Sequence, residues 1–171
     1  MNIRPTLATD IPAITRIYAH AVLNGTATFE LEPPDEAEML RRYEKLRAGS
    51  FPYLVAEVDG AVAGYAYGGA FRERPAYRFT VEDSIYIAPD RHRRGIGRAL
   101  LTRLISDAEA AGFRQMIAVI GDSGQAASIA VHRACGFHDV GLFEAVGYKF
   151  GRWLDTVQMQ RALGKGAATA P

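Results

Sequence analysis

Apolar residues recur along this chain in two different periods, and the points where one gives way to the other mark out its elements. Ile3 to Pro5 reads as a short first strand. Ile14, Ile17, Tyr18 and Ala21 then fall at helical spacing, which predicts a helix capped by Thr9 or Asp10 and ending near Asn24-Gly25. Pro33-Pro34-Asp35 is a helix-start signal for a second helix with Met39, Tyr43 and Leu46 on one face. Tyr53–Val58 and Ala61–Tyr67 flank Asp59-Gly60, a pair that favours a tight hairpin because the turn needs positive φ at both positions. Thr80–Ile87 is another strand. Leu101, Leu104, Ile105 and Ala108 predict a helix over 98–111, stopped by Gly112. Met116–Ile120 is an apolar run of strand length, Ser128–Cys135 a short helix closed by Gly136, and 139–148 and 154–160 two further strands. The order β-α-α-β-β-β-α-β-α-β-β implies an α/β fold, one mixed sheet with helices on its faces.

Composition narrows the class. The 171 residues, 49% hydrophobic and 23% charged, suit one domain over 1–162, with the small, unpatterned residues 163–171 expected to form a flexible tail. A net charge of +1 leaves no global field to draw in nucleic acid or an anionic membrane, so positive charge acts only locally. No cationic stretch leads into an apolar run at the N-terminus, and no segment approaches the about 18 apolar residues of a membrane span. The single cysteine, Cys135, excludes an internal disulfide, and together these features lead one to expect a cytoplasmic protein.

The local charge is concentrated where strand Thr80–Ile87 empties through Arg91-His92-Arg93-Arg94-Gly95-Ile96-Gly97-Arg98 into the next helix. Glycines let the backbone approach a ligand, and the unpaired N–H groups of a helix start favour an anion, so the segment reads as a pyrophosphate cradle. It lacks the Gly-x-x-x-x-Gly-Lys-Ser/Thr of nucleoside-triphosphate binders, and Leu100 stands where a dinucleotide fingerprint needs a small residue. The phosphates therefore belong to another cofactor. The alternative is a solvated arginine loop.

With the cradle, the strand end Ile120-Gly121-Asp122 and the Ser128–Phe137 segment in place, the chain resembles the GCN5-related N-acetyltransferase (GNAT) superfamily, whose acetyl-CoA motif matches at Gly95 and Gly97. Thr26-Ala-Thr-Phe-Glu30 with Glu32-Pro-Pro34, Ala76-Tyr-Arg-Phe-Thr-Val-Glu82 and Val146-Gly-Tyr-Lys-Phe-Gly-Arg-Trp-Leu-Asp155 look like its phosphinothricin and methionine sulfoximine branch. The resemblance implies a mostly antiparallel sheet splayed at the cofactor cleft, acetyl-CoA as co-substrate without metal, a small amino-acid-like acceptor and a homodimer. It departs from the family at His92, where Gln or Arg is usual, and at Gly124-Gln125, where relatives commonly carry Asn.

Carried over residue by residue, the resemblance has Ile85, Tyr86 and Ile87 offering main-chain groups to the pantetheine arm. Arg93, Arg94, Gly95, Ile96, Gly97 and Arg98 hold the phosphates, and Gln125 and Ser128 touch the cofactor. Glu82 resembles the general base, which acetyl transfer needs because an ammonium has no lone pair. Strand alternation sends Glu82 and Asp83 to opposite faces. His132, one helical turn after Ser128, reads as a structural histidine, as the acid that protonates the thiolate, or as a partner of Glu82. Cys135 reads as a buried apolar residue rather than a nucleophile. Arg72, Arg74, Tyr77, Arg78 and Lys149 are candidate acceptor contacts, since arginines grip carboxylates bidentately, and Phe29 is a candidate pocket wall. Taken singly, each cation also reads as a surface charge.

Overall fold

The computed structural model describes residues 1–171 and has the expected order of elements: β1 (Asn2–Pro5), α1 (Ile11–Asn24), α2 (Glu36–Ala48), β2 (Tyr53–Val58), β3 (Ala61–Ala70), β4 (Thr80–Ile87), α3 (Ile96–Ala110), β5 (Gln115–Gly121), α4 (Ala126–Ala134), β6 (His138–Lys149) and β7 (Arg152–Ala162). The seven strands form one sheet in the order β1-β2-β3-β4-β5-β7-β6. Every neighbouring pair is antiparallel except β4 and β5. Two separate cores cover its faces. Tyr53, Val55 and Tyr65 pack under α1 and α2, while Leu54, Ala66, Val81, Met116 and Ala118 pack under Leu100, Leu101 and Leu104 of α3. No helix is long and apolar enough to cross a membrane.

Two helix starts differ from the sequence pattern, each for a local reason. Asp10 precedes α1 but does not cap it with its side chain, because its carboxylate takes hydrogen bonds from Arg4 at 2.7 and 2.9 Å and from the Leu7 amide at 2.8 Å. Asp35 does cap α2, accepting from the Glu38 amide at 2.8 Å. Helix α3 starts at Ile96, two residues before its apolar stripe suggests, since Gly95 adopts the left-handed conformation (φ 77°) that starts it. Gly97 thus lies inside the first turn rather than in the loop.

The tail is less free than its composition suggests. Leu163 is buried in the α3-side core, and the Arg114 guanidinium holds Thr169 and Ala170, with bonds of 2.5 Å to the Thr169 hydroxyl and 2.9 Å to the Ala170 carbonyl. Core packing thus includes Leu163, the residue after β7.

Candidate active site

The strands β4 and β5 are paired only from Thr80–Gln115 to Asp83–Ala118, after which they part. On its other side β4 stays paired with β3 as far as Ile87. Residues 84–87 therefore keep one bonded edge and expose the other. A cleft opens there, bounded by Ser84, Ile85 and Tyr86 on one wall, by Ala118 to Gly121 on the other, and by Gln125, Ser128 and His132 of the α4 segment. Unpaired strand amides and carbonyls need partners, so this edge fits an extended ligand bearing its own amides.

At the open end of β4 lies the start of α3. Arg93 (φ 58°) and Gly95 (φ 77°) both take positive φ, which turns the chain so that the first amides of α3 face outward, as in an anion-binding nest. Arg93, Arg94 and Arg98 are exposed around it. A β-carbon built on Gly97 would meet only the Ile87 side chain, at 4.0 Å, so packing does not demand a glycine here. Free space over the amides is what the residue preserves. His92, the family departure, directs Nε2 to the Ile87 carbonyl at 3.1 Å and so ties the loop to the strand end.

Alternation along β4 decides what faces which core. Glu82, Ser84 and Tyr86 lie on the α1/α2 side, while Val81, Asp83 and Ile85 lie on the α3/α4 side. Glu82 is half-buried opposite Gly69 and Ile117 in register. Burial, and next the charge of Asp83, push its pKa up to about 7. A carboxylate so placed can accept a proton near neutral pH.

His132 is not a partner of Glu82, because it sits on the opposite face. Its Nε2 lies 3.0 Å from Asp83 Oδ2, both side chains being buried, and its Nδ1 lies 2.8 Å from the Ser128 carbonyl. Asp83 is the functional candidate that sequence reasoning passed over. The signal was present in the alternation that placed one acid of the pair inside, but its partner lies 49 residues away. The Gln125 amide donates to Thr26 Oγ1 at 3.1 Å, so one of its two N–H groups is tied to the α1–α2 loop.

Among the acceptor candidates, Lys149 requires correction. It is buried, and its ammonium donates to the carbonyls of Gly25 (2.8 Å) and Thr28 (2.9 Å), clamping the loop that carries Phe29. Burial lowers its pKa. The sequence showed a charge, and only the tertiary contacts show it already satisfied. Phe29 packs its ring against Gly121 and Gly147, and a β-carbon at Gly147 would collide with it. Arg72, Arg74 and Arg78 are exposed on the β3–β4 connection. Arg72 stacks over Phe71 and Tyr77, and Arg78 over Phe79 at 4.4 Å. Cys135 is buried with its sulfur 3.9 Å from Thr102 Oγ1, away from the cleft wall. No three His, Cys, Asp or Glu side chains converge on a possible metal position.

A mixed sheet opened between its two parallel strands, with a glycine-rich helix start at the open end, defines an acyltransferase architecture. Residues 3–158 match the family model described as the acetyltransferase (GNAT) domain, and the chain belongs to that family. A phosphinothricin N-acetyltransferase of Alcaligenes faecalis is 56% identical over 162 residues, 95% of this chain and 82% of that protein. An L-methionine sulfoximine/L-methionine sulfone acetyltransferase of Salmonella typhimurium is 42% identical over 98% of both chains. The crystal structure of a phosphinothricin acetyltransferase from Sinorhizobium meliloti in complex with AcCoA superposes with a TM-score of 0.97 at 54% identity, covering 99% of this chain and 92% of that one.

Proposed function

We propose that this protein is an acetyl-CoA-dependent N-acetyltransferase acting on the amino group of phosphinothricin or methionine sulfoximine. The observation that carries the reading is the split of β4 from β5 beside Glu82, in a chain 56% identical to a phosphinothricin N-acetyltransferase. The residues present fit acetyl-CoA. The open edge of residues 84–87 offers main-chain partners to the pantetheine amides, and the space kept by Gly97 and the arginines at 93, 94 and 98 receive the phosphates. Bound there, acetyl-CoA supplies an activated acetyl carbon and a thiolate leaving group.

Glu82 takes one proton from the acceptor's ammonium, which frees the nitrogen lone pair for the new C–N bond; as the C–S bond breaks to release the CoA thiolate, the nitrogen sheds its second proton, which balances the thiolate's charge as CoA thiol. Burial keeps its basicity near neutrality, so it holds that proton well enough to be useful. Arg72, Arg74 and Arg78 support acceptor binding by their position, because their connection leaves β3 just after Gly69, the register partner of Glu82. Measuring CoA thiol release over a panel of amines tests the reading. Phosphinothricin or methionine sulfoximine should exceed a decarboxylated phosphinothricin in kcat/KM by about 10-fold or more, each charge-assisted hydrogen bond being worth roughly 1.5–3 kcal/mol. An ordinary L-amino acid and an alanine-bearing ribosomal-protein peptide complete the panel, since an L-amino acid N-acyltransferase and a ribosomal-protein-alanine N-acetyltransferase are among the proteins this chain resembles. Equal turnover of simple primary amines would refute the substrate class.

A homodimer is supported by the far edge of the sheet. Strand β6 has β7 on one side and nothing on the other, and Val140, Leu142, Phe143, Val146, Tyr148 and Trp153 are 46–64% exposed on this hairpin. Monomers rarely leave so much contiguous apolar surface beside an unpaired strand. The double substitution Leu142→Glu with Trp153→Glu is expected to convert a sedimenting dimer to a monomer. A wild-type monomer, or an unaltered variant, would overturn this assembly.

A further inference from the structure

Glu82 and Asp83 are consecutive residues at the last paired register before β4 and β5 part, and their carboxylates stand on opposite faces of the sheet. Asp83 Oδ2 is 3.0 Å from His132 Nε2, and its second oxygen, Oδ1, is buried with no protein partner. A native fold rarely retains such an orphan acceptor without a reason. The Ser128 carbonyl can only accept, so the His132 Nδ1 beside it carries a hydrogen. That leaves Nε2 either donating to a carboxylate or accepting from a carboxylic acid. The Phe137 ring meets the imidazole edge-on at 5.0 Å and holds its plane.

We propose that Asp83 is a positioning residue that keeps His132 as a doubly protonated imidazolium at the split, where its charge stabilises the departing thiolate. This rests on the acetyltransferase reading above. Both residues line the cleft that the split creates. The imidazolium acts through its field and not by handing over a proton, because both N–H groups are already engaged. Burial works against the charge, but the Asp83 hydrogen bond and charge and the Ser128 carbonyl outweigh it and hold the His132 pKa above the ordinary imidazole value. Asp83 thereby serves both faces, since its charge also adds to the burial that raises Glu82.

Of the other titratable groups nearby, Glu82 couples to Asp83 by charge across the sheet. Tyr86 is on the front wall of the cleft, and the Cys135 thiol is within reach of Thr102. Arg133, beside His132 on α4, pairs outward with Asp139 at 2.7 Å. From β5 the cleft receives only Ala118, Val119, Ile120 and Gly121.

Long-range proton–nitrogen NMR of the whole protein across pH 5.5–9 reads the pair directly. In the wild type His132 should show both ring nitrogens protonated at pH 7 and titrate above the ordinary value of about 6.5. In Asp83→Asn it should titrate below that value and leave the Nδ1–H tautomer. The same variant should lose roughly 10-fold or more in kcat with acetyl-CoA KM unchanged, while the acid limb of its pH–rate profile moves to lower pH. A neutral His132 at pH 7 in the wild type, or an unchanged ring titration in folded Asp83→Asn, overturns the proposal. Should Asp83→Asn fail to fold, the wild-type titration still decides. Failure of the acetyltransferase reading would show in the amine panel and leave the NMR result standing.

Discussion

Glu82→Gln is expected to lower kcat by roughly 10²–10⁴-fold, the range for losing a general base, while the KM for acetyl-CoA stays as it was. Glutamine keeps the shape and polarity of the side chain and removes only its basicity. In the wild type the acid limb of kcat/KM should have its midpoint at about pH 7, the pKa that burial and Asp83 give Glu82. That limb should vanish in the variant. Stability should move the other way. Because the folded pKa is raised, native Glu82 keeps a proton that the unfolded chain has lost between pH 4.5 and about 7, so its contribution to stability falls as pH rises through that window. Above pH 7 Glu82→Gln should therefore be the more stable protein, by on the order of 1–2 kcal/mol after solvent screening, or a few degrees in Tm. A variant with full activity and an intact acid limb would remove Glu82 from the chemistry.

Gly97→Val is expected to raise the KM for acetyl-CoA by about 10²-fold or more, with little change in fold or Tm. A β-carbon at this position meets only Ile87, at 4.0 Å, and the φ of Gly97 lies outside the left-handed region, so valine fits the protein. Its methyl groups take the space above the helix-start amides, and losing two charge-assisted hydrogen bonds at roughly 1.5–3 kcal/mol each accounts for the magnitude. Isothermal titration with CoA separates this from a chemical effect. Unchanged affinity in the folded variant would mean that the phosphates lie elsewhere. Gly95→Val is a poorer probe, because Gly95 holds φ 77° and any side chain there strains the backbone whatever the ligand does.

What the amino-acid sequence by itself determined is everything set within a few residues. Apolar periods of 3.6 and 2 gave the order of all eleven helices and strands. Asp59-Gly60 gave the β2–β3 hairpin, and His92-x-x-Gly95-x-Gly97 gave the glycine-rich start of α3. Alternation also separated Glu82 from Asp83, because that is a property of any extended chain. Tertiary structure decided what depends on segments far apart in the chain. It slipped β7 between β5 and β6, and it ended the β4–β5 pairing at Asp83, which is where the cleft comes from. The same closure turned Lys149 from a free cation into a buried clamp on residues 25 and 28, and gave His132 to Asp83 instead of Glu82. A charge or an imidazole looks the same in a sequence whether solvent or a distant carbonyl satisfies it. Burial removes the solvent, and only the packed chain supplies the partner.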